Sequence, residues 1–357
     1  MSKSKRIAVL LLALMLVLTL FTGCQQDPAE TPDEETGDEA WVPERPITMV
    51  VGFGAGGGVD TMARVLAEVM GEELGVEVVV QNMPGAGSGS AAEYVMGQEA
   101  DGYTILAVSS AAATYAAMDN SNATYNELDM MGIMVLSEPA FQVPESSDIE
   151  TMKDLIALWK SGEETTAANA GNGGLWHIPQ LIALNRAGAD IEKVSFVPYA
   201  SGKEDATAIA KGEVDWGVSG AFLESAEFFK EGLSKPLCIF SDQGYEIPEY
   251  GMLEPITKYI PEITEEDILI GAGWRGITIK KGTPENVYAT LESALKAAYE
   301  SEEFTKLMSD NGLIPAGYFG EEANELYAST SQMQSWLLYD LGYANRSPEE
   351  VNVPRLQ

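Results

Sequence analysis

The stretch Thr48-Met49-Val50-Val51-Gly52-Phe53-Gly54-Ala55-Gly56-Gly57-Gly58-Val59-Asp60 decides how this chain is read. An apolar, β-branched run gives way to five glycines within the seven residues from Gly52 to Gly58, and beyond them Met62, Val65, Leu66, Val69 and Met70 recur at helical spacing. That is the order strand, loop, helix. A loop ending at a helix N-terminus leaves amide N–H groups without intrahelical partners, and the helix dipole adds partial positive charge, so an anion fits there. Glycines let the backbone approach a ligand and take positive φ where the turn needs it. Gly52, Gly54 and Gly57 also satisfy G-x-G-x-x-G, a weak dinucleotide signal when it stands alone. A tight turn with no ligand would read the same way.

Toward the N-terminus, Lys3, Lys5 and Arg6 precede an unbroken apolar or small run, Ile7 to Phe21, of fifteen residues. This is shorter than the roughly 20 residues that span a bilayer, and its basic-then-apolar order is that of an export signal over residues 1–23. The run ends in Leu20-Phe21-Thr22-Gly23-Cys24, which resembles a bacterial lipobox; Cys24 is then the lipidated residue, with the mature protein anchored on the outer face of the cytoplasmic membrane. Residues 24–44 are rich in Asp, Glu and Pro with no basic residue, a flexible acidic tether.

About 312 residues follow the tether, enough for two α/β domains. The chain has 21 Lys and Arg against 55 Asp and Glu; losing the leader's three basic residues leaves 18 and a net charge of −37. Nucleic acid is excluded as a partner. With Cys24 lipidated, Cys238 stands alone in an apolar run and reads as a buried small side chain. The single histidine, His177, leaves no multi-histidine metal site, and no G-x-S-x-G elbow occurs, so metal-assisted and serine hydrolase chemistry are disfavoured and no cofactor is expected.

Downstream, Glu77 to Gln81 is a short strand, Asn82 to Gly89 a second glycine-rich loop, Ala91 to Met96 a helix start, and Tyr103 to Val108 the next strand, ending at Ser109-Ser110. This alternation predicts an α/β fold with a mostly parallel sheet.

Several segments resemble, in order, the signatures of the tripartite tricarboxylate transporter receptors, or Bug receptors. They are Arg45-Pro46-Ile47-Thr48, the 56–60 loop, Gln81 to Gly87, Asp101 to Leu106 and Ala168 to His177. Val197 to Gly202 with Gly212 to Asp215, Trp274-Arg275-Gly276 and Gly282-Thr283-Pro284 follow. The likeness runs from Arg45 to Gly342, and departs between Asp242 and Ile270. It implies a type II periplasmic-binding-protein fold closing on a small carboxylate, such as a di- or tricarboxylate, working as a monomer with large and small membrane subunits. Residues 45–141 with 270–357 would form one domain and 142–269 the other. Ala140 to Val143 would cross between them, with Gly271, Gly273 and Gly276 as a hinge.

The repeat of the strand, glycine loop, helix plan at Thr165 to Arg186 supports a clamp of two facing anion loops. The first contributes Phe53, Gly54, Ala55, Gly56 and Gly57, the second Asn169, Gly171, Asn172 and Gly173. The net charge does not oppose this, because charges beyond the Debye length of about 8 Å are screened whereas each charge-assisted hydrogen bond contributes about 1.5–3 kcal/mol. Asp60 reads as a helix pair with Arg64 or as a ligand contact. His177 orients the second loop or touches the ligand. Tyr199 and Asp215 match cleft positions of the family, though Asp215 equally reads as a loop organiser; Ser109 and Ser110 end a strand where ligands of open α/β sheets bind. Trp176 is the tryptophan placed inside a glycine loop.

Two alternatives stay open. An exported NAD-dependent oxidoreductase would use the first loop with Glu72, Glu73 or Glu77 on the ribose. A sensor would pass its ligand signal to a partner instead of a transporter.

Overall fold

The stretch quoted above folds as β1 (Ile47–Val51), a loop over 52–57, and α1 (Gly58–Leu74). The computed structural model describes residues 40–356 except 138, 248–249 and 312; the leader, Cys24 and the tether through residue 39 lie outside the described residues. Gly57 is extended before α1, Asp60 lies in its first turn, and Gly75 ends it with a left-handed φ of 69°. The face carrying Val59, Met62, Ala63, Leu66 and Met70 is buried in the first of two large cores.

The chain continues through β2 (Val78–Asn82), α2 (Gly89–Met96), β3 (Thr104–Ser109) and β4 (Leu128–Leu136). It then enters a second sheet with β5 (Pro139–Pro144), α3 (Met152–Ser161), β6 (Thr165–Asn169), α4 (His177–Ala187) and β7 (Val194–Pro198). Next come α5 (Gly202–Ala210), β8 (Trp216–Gly220), α6 (Ala226–Lys230) and β9 (Ser234–Ile239). The segment that departs from the family pattern is a small hairpin, β10 (Tyr245–Ile247) and β11 (Gly251–Leu253), followed by α7 (Glu265–Gly271). Thr264 and Asp267 cap α7 reciprocally, and Arg186 holds Asp267 at 2.8 Å. The return brings β12 (Trp274–Lys280), α8 (Glu285–Glu300), α9 (Glu302–Asn311), β13 (Ile314–Phe319) and α10 (Gly320–Asp340).

The first sheet runs β13-β4-β12-β3-β1-β2 and the second β7-β6-β8-β5-β9. The strands β1, β2 and β3 are parallel, as are β6, β7 and β8. In contrast, β12 runs antiparallel to β3 and β4, β13 to β4, and β5 to β8 and β9. The sheets are therefore mixed, not mostly parallel. Both β5 and β12 are entered from the other lobe, at the edge where the parallel strands end, so they run away from that edge against their neighbours.

The crossing also differs from expectation. Ala140 to Val143 already belongs to β5, and the chain passes over at Ser137, whose N–H donates to the carbonyl of Gly273 on the returning segment, 2.8 Å away. Gly271 closes α7 and Gly276 sits inside β12, where an added Cβ would meet the Gly132 carbonyl and Met130 Sδ. Of the three hinge glycines, only Gly273 lies in the crossing itself. Helix α10 serves both cores, with Ala323 and Tyr327 in the first and Leu338 in the second, so residues 270–357 do not belong to one lobe alone.

The end of the acidic stretch is docked. Trp41 meets Tyr103 edge-on at 5.1 Å, and the Glu44 N–H donates to the Tyr103 hydroxyl at 2.9 Å. Cys238 is free and fully buried in β9. Among the described residues no helix is long and apolar enough to cross a membrane.

Candidate ligand-binding cleft

The first glycine loop directs three of its amides to protein. Gly54 N–H donates across the cleft to the Ala200 carbonyl at 2.9 Å, Gly56 N–H to the Asp60 carboxylate at 2.8 Å, and Gly57 N–H back to the Gly54 carbonyl at 3.4 Å. The expectation that these three donate to a ligand is corrected: they close the loop on itself and on the other lobe. Asp60 organises this arrangement, accepting also from Arg64 at 2.9 Å and Asn82 at 2.8 Å. Burial by itself raises the Asp60 carboxyl, but the hydrogen bonds from Arg64, the Gly56 amide and Asn82 outweigh it and hold the group below the usual carboxylate range.

The second loop is built differently. Gly171 and Gly173 take positive φ, 101° and 75°. Gly173 N–H donates to His177 Nδ1 at 2.8 Å, and Asn169 donates to the Asn172 side chain at 3.2 Å from beneath. Burial lowers the His177 pKa to about 3, so the ring is neutral, and with Nδ1 accepting, Nε2 carries the proton. Phe196 packs edge-on against it at 4.4 Å. His177 thus holds the loop from behind. The amides of Phe53, Gly171 and Asn172 have no protein acceptor among the described residues.

A third loop, 84–88, completes the rim. Ala86 and Ser88 adopt left-handed φ of 47° and 78° without being glycine, a conformation costing about 1–2 kcal/mol per residue and concentrated at ligand clamps. Gly87 faces Gly171 so closely that a Cβ on Gly171 would lie 2.8 Å from the Gly87 Cα. The two lobes touch through glycines.

Between these loops lies a cavity of about 470 Å³, bounded by Gly52 and Phe53, the 84–88 loop, Asn120, Ala170 to Asn172, and Pro198 to Ala200. Among the described residues no charged side chain borders it. Of the expected site residues it gathers Phe53, Gly171, Asn172 and Tyr199. Gly57 and Ser109 border a separate inner chamber of about 20 Å³, which Phe53, Trp176, Glu224 and Arg275 also line. His177 and Asn172 border a further recess of about 360 Å³ with Asn120, Phe196 and Tyr343. Ser110 is fully buried, its hydroxyl where a Cβ on Gly273 would lie 3.1 Å away. Gly54, Ala55, Gly56, Asp60, Asn169 and Gly173 border none of these three spaces.

Asp215 lies at the wrong end of the strands. It precedes β8, and its carboxylate accepts from the Thr166 N–H at 2.7 Å and hydroxyl at 2.8 Å at the start of β6. The cavity is at the other end, beyond Asn169, so Asp215 is the loop organiser that the sequence allowed. Residues that the sequence reading did not select are Pro84 to Ser88, Asn120, Pro198, Ala200, Glu224 and Arg275. The 85–89 glycine run and the Trp-Arg-Gly motif were visible signals for some of them; nothing in the sequence marks Asn120 or Glu224.

Two α/β lobes joined by a double crossing, with a cavity between the strand ends, define a periplasmic-binding-protein fold of type II. The family described as "Tripartite tricarboxylate transporter family receptor" matches residues 62–342, and the chain belongs to it. The BugT protein of Bordetella pertussis is 29% identical over 284 residues, covering 76% of this chain and 82% of its own. Among solved structures, the periplasmic binding protein BugD superposes with a TM-score of 0.74 at 24% identity, covering 85% of this chain and 99% of that one. MatC from Rhodopseudomonas palustris with bound malate gives 0.70 at 20% identity, covering 84% and 99%. These are extracytoplasmic receptors and not enzymes.

Proposed function

We propose that this chain captures a small carboxylate in the 470 Å³ cavity and delivers it to the large and small membrane subunits of a tripartite transporter, acting as a monomer held by lipid on Cys24. The observation that carries this reading is a cavity closed by three backbone-rich loops, with no charged side chain on its wall among the described residues and with the Phe53, Gly171 and Asn172 amides uncommitted there. Backbone donors suit a carboxylate, and three charge-assisted hydrogen bonds of about 1.5–3 kcal/mol each reach the roughly −8 kcal/mol of a micromolar complex. Malate in MatC, which shares the fold, supports the same ligand class. The acidic surface does not interfere, because the donors act at contact distance and the distant charges are screened.

A thermal-shift screen against mono-, di- and tricarboxylates, with NAD and NADP alongside, tests the ligand. Binding to the native state alone adds about 2.7 kcal/mol at 100 times Kd. A shift with one carboxylate class and none with the nucleotides is expected; a nucleotide shift with silent carboxylates overturns the proposal. Metabolic labelling with a fatty-acid analogue, lost in Cys24→Ser, tests the anchor.

A further inference from the structure

A carboxylate from the other lobe sits beside the N-terminus of α1. Glu224, which follows β8 in the second lobe, reaches across the cleft, and Arg275 of β12 in the first lobe binds its Oε1 at 2.7 Å. Their side chains are 3% and 2% exposed. Arg275 pairs in register with Ser109 at the end of β3, which puts it on the cleft edge of the first sheet. The pair fills the place beside Gly58, where an added Cβ would strike both Glu224 Oε1 and Arg275 Nη2. Gly202 leaves similar room, since a Cβ there would lie 2.9 Å from Glu224 Cγ and 2.6 Å from Trp176 Nε1. The Trp176 ring stands 5.6 Å from the Arg275 guanidinium. Phe53 and Ala170 border both this chamber and the ligand cavity, so the ion pair sits directly behind the site.

We propose that Arg275 and Glu224 form an interlobe latch: positioning residues whose ion pair exists only when the lobes meet, and which thereby hold the closed cleft in register. A buried pair loses in desolvation about what it gains in attraction, whereas removing one partner strands a charge. Such a latch fixes the closed geometry without gluing it shut. Apolar side chains in the same chamber would favour closure without selecting a register. Asp205, fully buried on α5 with both oxygens unpartnered, lies close enough to feel the pair: its carboxyl is pushed well above the usual carboxylate range by its burial and by Glu224 and Glu204. Glu224 Oε2 and Arg275 Nε are also unpartnered, and the two residues line a space of about 20 Å³, room for one water.

The test is hydrogen exchange of the full chain, followed by mass spectrometry without ligand, so that its outcome is separate from whether a carboxylate binds. Peptides covering 52–58 report closure through the Gly54–Ala200 hydrogen bond, and peptides within β1 and β5 report the fold. Glu224→Gln is expected to speed exchange over 52–58 at least tenfold, with β1 and β5 unchanged. The double variant Glu224→Leu with Arg275→Met is expected to return that segment to the original rate or below it. An unchanged 52–58 rate in Glu224→Gln overturns the latch. If the single variant also exposes β1 and β5, the double variant decides: recovered protection over 52–58 supports the latch, and protection still lost there overturns it.

Discussion

The two glycine loops of the first lobe look alike in sequence and differ in use. The loop over 52–58 has the stronger motif, yet Gly54, Gly56 and Gly57 direct their N–H groups to Ala200, Asp60 and Gly54, and Gly58 abuts an internal carboxylate. The loop over 84–88 has fewer glycines, holds Ala86 and Ser88 in left-handed backbone, and borders the cavity throughout. Glycine content marks where backbone comes close to something; only the fate of each amide says whether that is a ligand or the other half of the protein.

The comparison breaks most visibly at the glycine contact across the cleft. Gly171→Val places a side chain against the Gly87 backbone at a φ of 101°, and should weaken the binding of the carboxylate found in the thermal-shift screen by a hundredfold or more in titration calorimetry while urea denaturation shows a folded chain.

A pH test separates two of the buried titratable groups beside the cleft, His177 and Asp205. His177 is neutral when folded, so below its unfolded pKa of about 6.5 the unfolded chain binds the extra proton and stability falls by up to about 1.4 kcal/mol per pH unit. Asp205 has the opposite sign: its carboxyl is held protonated when folded, so stability rises as pH falls toward the unfolded value of about 3.9. Asp205→Asn should therefore expose a loss of stability on acidification, and His177→Gln a gain, both read from urea midpoints.

Asp60→Asn sharpens the contrast at the first loop. It weakens the hydrogen bonds from Gly56, Arg64 and Asn82, at a cost of about 1–2 kcal/mol by urea denaturation. The depressed pKa adds a sign: this contribution is present above the unfolded value and lost as pH falls through the folded one. Asp215→Asn is the smallest effect, with carboxylate affinity unchanged within twofold, because its partner Thr166 lies at the far end of β6.

The fold was legible because its signals are local. The switch from β-branched run to glycine to helical spacing at 48–70 is visible in one dimension, and so is its repeat at 165–186. The reversed direction of β5 and β12 was not, since it follows from chain crossings that no residue pattern announces. At the site, Phe53, Gly171, Asn172 and Tyr199 could be placed from motifs, and the supporting part of His177 from its position after a glycine loop. Asp215 was misplaced because a motif gives adjacency along the strand and not which end of the sheet faces the cavity. Glu224 escaped altogether: its meaning depends on Arg275, fifty-one residues away on the other lobe.

The crossing at Ser137 and Gly273 has a mechanical consequence. Two chain segments tied by a hydrogen bond, beside a helix that packs into both cores, would confine any relative motion of the lobes to a flap about one line and oppose a free swivel. A partner touching both lobes would need to sense only the angle of that flap to distinguish a full receptor from an empty one.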